Sequence, residues 1–142
     1  MRATLAATAA ILLLSAGVAV AAGELRQSGT SSQGRPVALV ARTDLLSRYF
    51  IRWRAKCPGT MYTGSSDLRR IGLRPDGSFR ATLRYSHAVG GGRRAHVSVT
   101  LSGSVNRAGT KASGVFGGAA RIDHLGTCRS GRLTWKTRKN AD

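Results

Sequence analysis

Acidic residues are scarce in this 142-residue chain: six Asp and Glu stand against 23 Lys and Arg, and Glu24 is the sole glutamate. Glycosidase chemistry needs two carboxyl groups about 5–10 Å apart. Asp67, Asp76 and Asp123 all read as turn residues, where Asp bonds nearby backbone groups, so that chemistry is not expected. Cysteine is limited to Cys57 and Cys128, and neither C-x-x-C nor H-x-x-x-H spacing occurs. No metal site is expected from such a set. A G-x-S-x-G nucleophile elbow is missing, and no cofactor-binding pattern is read, so no cofactor is expected. Sustained helical periodicity is lacking throughout; Ala41–Ser47 offers a single helical turn.

One long apolar run is present, from Leu5 to Val20, preceded by Arg2 and followed by small residues at Ala19–Ala22. That is the pattern of an export leader, with cleavage expected after Ala21 or Ala22. The run is rich in Ala and broken by Thr8, Ser15 and Gly17, which suits a leader better than a membrane anchor. Residues 1–22 are read as the leader and 23–142 as one exported domain, secreted or held at the cell envelope. Within it, 23–36 is either a linker or an irregular first strand. In an oxidising compartment two cysteines most simply form one disulfide, Cys57–Cys128. Free thiols are the alternative.

Period-two alternation recurs between glycine-rich turns. It is clearest over Arg48–Cys57, where Tyr49, Ile51, Trp53, Ala55 and Cys57 share one face and Arg52, Arg54 and Lys56 the other. Pro36–Ala41 is a short apolar strand and Leu68–Leu73 a weaker one. Pro75-Asp76-Gly77 is a turn before Ser78–Ser86, with Phe79 and Leu83 inward and Arg80 and Arg84 outward. Ala95–Val105 and Ala112–Ile122 follow. The last strand, Arg132–Arg138, directs Leu133 and Trp135 inward and Arg132, Lys136 and Arg138 outward. The expected fold is all-β: an antiparallel up-and-down barrel or sandwich of seven or eight short strands. Trp53 and Trp135 are expected to pack close together beside the disulfide, and Phe50 and Tyr62 are the aromatics left for exposure.

Gly126-Thr127-Cys128-Arg129-Ser130-Gly131-Arg132-Leu133-Thr134-Trp135 fits a G-x-C-x-S-G-x-x-x-W pattern. Ser28-Gly29-Thr30-Ser31-Ser32-Gln33-Gly34-Arg35-Pro36-Val37, Trp53 with Cys57, Asp76-Gly77-Ser78-Phe79, Leu101-x-Gly103 and Ala112-Ser113-Gly114 precede it in order. This ordered set resembles the small secreted β-proteins common in GC-rich, actinomycete-type bacteria, a group recognised by pattern rather than by activity. The resemblance implies an exported, disulfide-linked β-domain and assigns no chemistry.

The formal net charge is +17, or +16 once Arg2 is removed with the leader. Charge of that size favours an anionic partner: cell-wall polymer, lipid headgroups, acidic polysaccharide or nucleic acid. Arg-rich codon usage is the plain alternative. Export and the lack of exposed aromatic stacking platforms make nucleic acid the lesser partner. The leading expectation is a binding or adhesion module for an anionic envelope or matrix polymer, through Arg52, Arg54, Lys56, Arg80, Arg84, Arg132, Lys136 and Arg138. The alternatives are a small hydrolase using His124 or His96, and an inhibitor or ligand-carrying barrel.

Overall fold

The computed structural model describes residues 23–141; the expected leader lies outside them. Eight strands follow in chain order: β1 (Leu25–Ser31), β2 (Pro36–Ala41), β3 (Leu45–Cys57), β4 (Thr60–Gly72), β5 (Ser78–Val89), β6 (Arg93–Val105), β7 (Lys111–Ile122) and β8 (Gly126–Lys139). Every pairing is antiparallel, and the sheet runs β4-β3-β2-β1-β8-β7-β6-β5. This is an up-and-down barrel in which the first and last strands, β1 and β8, pair in the middle of the sheet, and β4 and β5 are its two edges. β1 and β2 have only seven and six residues, against 13 in β3 and 14 in β8. Beyond the β1–β2 turn the two long strands therefore meet directly, with Lys56 opposite Arg129. The Cys57–Cys128 disulfide clamps that junction.

Several expectations are corrected. Six of the eight strands run 12–14 residues rather than being short. The segment Leu68–Leu73 is the end of the 13-residue β4. No helical turn forms over Ala41–Ser47, because Leu45 already pairs with Gly72. The 23–36 segment contains a regular strand, β1, paired on both sides. Asp67 lies within β4, opposite Phe50, where its carboxylate accepts from Arg48.

The two edge strands, β4 and β5, face each other along a seam closed by side chains. Trp53 Nε1 donates to Ser66 Oγ at 3.0 Å, and Tyr85 Oη donates to the Ser65 carbonyl at 2.9 Å. With its proton committed to Ser65, the Tyr85 oxygen accepts from the Ser66 hydroxyl at 2.9 Å. Nearer the disulfide, Tyr62 Oη and His87 Nε2 are 2.6 Å apart. His87 Nδ1 faces the Ala88 carbonyl at 3.2 Å. A carbonyl can only accept, so Nδ1 donates to Ala88, and in the neutral ring Nε2 is then the acceptor for the Tyr62 hydroxyl.

The interior is filled by two aromatic groups. Trp53 packs on Tyr62 and Phe116, with ring centroids 5.3 and 5.7 Å away. Trp135 packs edge-on against Tyr49 at 5.1 Å and beside Phe79 at 6.1 Å. The two tryptophans thus belong to separate groups instead of packing together. Tyr62, expected as a candidate for exposure, is only 5% accessible, and Phe50 is half-buried. The Tyr49 hydroxyl and the Trp135 indole N–H are buried without a hydrogen-bond partner among the described residues. A row of inward positions, Phe79–Gly103–Gly114–Trp135, crosses four strands. Gly103 leaves room for the two rings: a Cβ there would sit 2.7 Å from Trp135 Cζ2 and 3.0 Å from Phe79 Cζ.

All three tyrosines of the chain hold their protons above the ordinary range. Burial raises Tyr49. Burial, then the neighbouring Tyr85, pushes Tyr62 up to about 12. Burial raises Tyr85 against the hydrogen bond from Ser66. A phenol ionises near pH 10 in an unfolded chain, so this contribution is complete below that pH and is lost as pH rises through the folded values. Phenolate absorbance is expected to appear together with unfolding in one cooperative alkaline transition. Stepwise ionisation near pH 10 in a chain that keeps its strand circular dichroism would contradict the seam and core described above.

Candidate anion-binding surface

Alternation along β3 sends Arg52, Arg54 and Lys56 to the outer face while Ile51, Trp53 and Ala55 enter the core. β2 begins at Pro36, so Arg54 has no strand neighbour on that side. The side chain of Gln33, in the β1–β2 turn, takes its place. Its Oε1 accepts from the Arg54 N–H and its Nε2 donates to the Arg54 carbonyl, both at 2.9 Å. On the opposite side the same turn is tied to β8. Ser32 N–H donates to the Thr134 carbonyl at 2.7 Å, and Thr134 N–H donates to Ser32 Oγ at 3.1 Å. A turn held on both flanks keeps Arg35 beside Arg52 and Arg54. Partial desolvation, and then the charges of Arg54 and Arg52, hold the Arg35 guanidinium below its usual range.

Arg129 completes the group from β8, directly opposite Lys56. Like charges in register across a ladder repel, and the adjoining disulfide holds them there. Among the described residues, no carboxylate lies within ion-pair distance of Arg35, Arg52, Arg54, Lys56 or Arg129. The ion-paired acids sit elsewhere: Glu24 with Arg42, Asp67 with Arg48 and Arg69, and Asp123 with His96 and Arg121. Asp76 bonds the backbone N–H and hydroxyl of Ser78 in its turn.

The other expected cations are distributed around the barrel. Arg132 is exposed on β8, opposite Gly117. Lys136 and Arg138 lie further along β8, near Lys111 of β7. Arg80 and Arg84 are exposed on β5, opposite Ser102 and Ser98. Arg35, Arg129 and Lys111 escaped the sequence reading. Arg35 is in a turn, where alternation says nothing. Arg129 precedes a bulge: β7 residues 117–119 face β8 residues 129–132, Gly131 has φ +70°, and Ser130 Oγ accepts the Gly118 N–H at 2.9 Å. Lys111 opens its strand, and its place in a cluster follows only from the pairing with Arg138.

Of the histidine candidates, His96 is the one in a network. Its Nδ1 is 3.0 Å from Ser86 Oγ, and its Nε2 is 3.1 Å from Asp123 Oδ1. Burial raises the Asp123 pKa, but the hydrogen bonds from His96 and the Arg94 N–H, with Arg121 nearby, outweigh it and leave the carboxyl below its usual range. The order Ser–His–acid is that of a hydrolase triad. Here it lies on the outer sheet face, where it fastens β5 and β6 to the β7–β8 turn. Two surface cavities, of about 510 and 990 Å³, are lined by none of these three residues. His124 sits in the turn itself, with φ +62°.

Fold and surface together define an all-β domain: an eight-stranded antiparallel barrel clamped by one disulfide, with a cluster of unpaired cations at the clamped end. Compared with known protein families, curated proteins and solved structures, the chain matches none.

Proposed function

We propose that this is an exported binding module that holds an anionic polymer of the cell envelope or extracellular matrix. The observation that carries the reading is the group Arg35, Arg52, Arg54, Lys56 and Arg129. Five cations are fixed together by a disulfide and a doubly tied turn, without a carboxylate among them. Such an arrangement raises the local potential, and a polyanion relieves the repulsion within it. Single-stranded nucleic acid fits less well, because its binding normally adds exposed aromatic rings. Among the described residues, Met61 is the one exposed large hydrophobic side chain.

The test is the affinity for immobilised poly(glycerol phosphate) as salt is varied. Neutralising about five charges releases a similar number of counterions, so log K should fall with log salt with a slope of about −3 to −5. A slope near zero, or no binding at low ionic strength, would overturn the reading.

A further inference from the structure

The outer face of the sheet carries a second concave surface, at the other end of β8. Two rows of side chains cross the strands there. Register places Ser104, Ser113, Lys136 and Thr30 in one line across β6, β7, β8 and β1. The next line is Lys111, Arg138 and Ser28. Adjacent strands lie about 4.8 Å apart, so the first line offers a polar group at each of four successive steps. Together these residues line a groove of about 510 Å³, with Gly29 and Ala112 also in its wall. That volume falls within the roughly 300–1,000 Å³ common for small-ligand sites.

The groove exists because its wall is built from small residues. Gly29 permits β1 and β8 to approach too closely for any side chain: a Cβ there would fall on the Lys136 carbonyl oxygen. The hydroxyls of Thr30, Ser104 and Ser113 are free to turn and can each donate and accept. Ser28 donates to Asn140 at 2.6 Å, which leaves its oxygen as an acceptor. Among the described residues, no carboxylate and no aromatic ring lines the groove. A ligand bound here must satisfy hydroxyls with hydroxyls and answer two ammonium groups and one guanidinium with negative charge. The Arg138 fork suits a planar carboxylate.

We infer that this groove is a subsite for an acidic oligosaccharide of the uronate class, with Lys111, Lys136 and Arg138 meeting its carboxylates and the Ser and Thr hydroxyls meeting its ring hydroxyls. This inference concerns residues outside the clamped cluster and stands or falls separately from it. A bare polyanion would use only the charges of the groove. A uronate chain uses its hydroxyls as well.

The experiment follows backbone amide shifts of the full exported domain during titration with trigalacturonate, tripolyphosphate and maltotriose. Saturable shifts at Thr30, Ser104, Ser113 and Lys136 are expected with trigalacturonate, and none there with neutral maltotriose. The triple variant Thr30→Val, Ser104→Ala, Ser113→Ala should weaken trigalacturonate at least about tenfold, as loss of three neutral hydrogen bonds implies, and leave tripolyphosphate within twofold. Equal losses for both anions would reduce the groove to a charge patch and overturn the inference. Shifts confined to Arg35, Arg52, Arg54 and Arg129 would overturn it too, while leaving the polymer-binding reading intact. The wild-type shifts decide the matter even if the triple variant fails to fold.

Discussion

Opening the Cys57–Cys128 bond, by reduction or as Cys57→Ser with Cys128→Ser, is expected to lower the free energy of unfolding by about 4 kcal/mol in the chain-entropy account. The two residues are 71 apart in sequence, so the bond restricts most of the unfolded domain. In the folded state it sits beside the one register pair that joins β3 to β8, Lys56 opposite Arg129. These like charges oppose the pairing that the bond enforces. Domains of this size have only about 5–15 kcal/mol in total, so the loss would be about a quarter of the stability or more. Urea unfolding should show a lower midpoint and a steeper denaturant dependence, because an unfolded chain without the crosslink exposes more surface. An unchanged midpoint would show that the clamp adds nothing.

The second large effect is expected at Gly114. A Cβ at this position would lie 2.0 Å from the Ser102 carbonyl oxygen and 2.6 Å from Gly103 Cα. Both are backbone atoms of β6, which is held by its own ladders and by the Trp135 and Phe79 rings over Gly103. No rotamer change can relieve the contact, so Gly114→Ala should cost about 3 kcal/mol or more, at the upper end for overpacking. Gly117→Ala, three residues along the same strand, is the control. Its nearest neighbour would be the Thr100 hydroxyl at 3.3 Å, on a side chain that can rotate. Thermal unfolding of the two variants should differ widely; matching midpoints would mean that the inter-strand approach at Gly114 is looser than described.

Much of this architecture was legible wherever the inward face is apolar. β3 shows it best, since Tyr49, Ile51, Trp53 and Ala55 alternate with Arg52, Arg54 and Lys56. Legibility failed where an inward position is polar. In β1 the buried Gln27 accepts from Thr137 Oγ1 and donates to the Gly109 carbonyl, and Ser31 is buried as well, so the segment read as either a linker or an irregular strand. In β4 the buried Ser66 receives the Trp53 N–H, which hid the period over half of a long strand. In β8 the bulge at Ser130–Gly131 changes the parity: Cys128 and Leu133 both point inward although five residues separate them. The cations of β3 could be read directly. Their meeting with Arg35 and Arg129 depends on a turn docked by Gln33 and on strands joined at a distance. The hydroxyl-lined groove depends on lateral register across four strands, which alternation within any one of them cannot reveal.

Binding through the disulfide-end cluster is tested most directly by removing two charges in two places. Arg54→Gln with Lys56→Gln empties part of the cluster; Arg80→Gln with Arg84→Gln takes the same charge from β5. At low ionic strength, with immobilised poly(glycerol phosphate), the first pair should weaken binding roughly tenfold or more, since two phosphate contacts are lost. The second should change it less than about twofold, as expected for screened charges away from the contact. Equal losses from both pairs would contradict the account, because binding would then follow net charge alone.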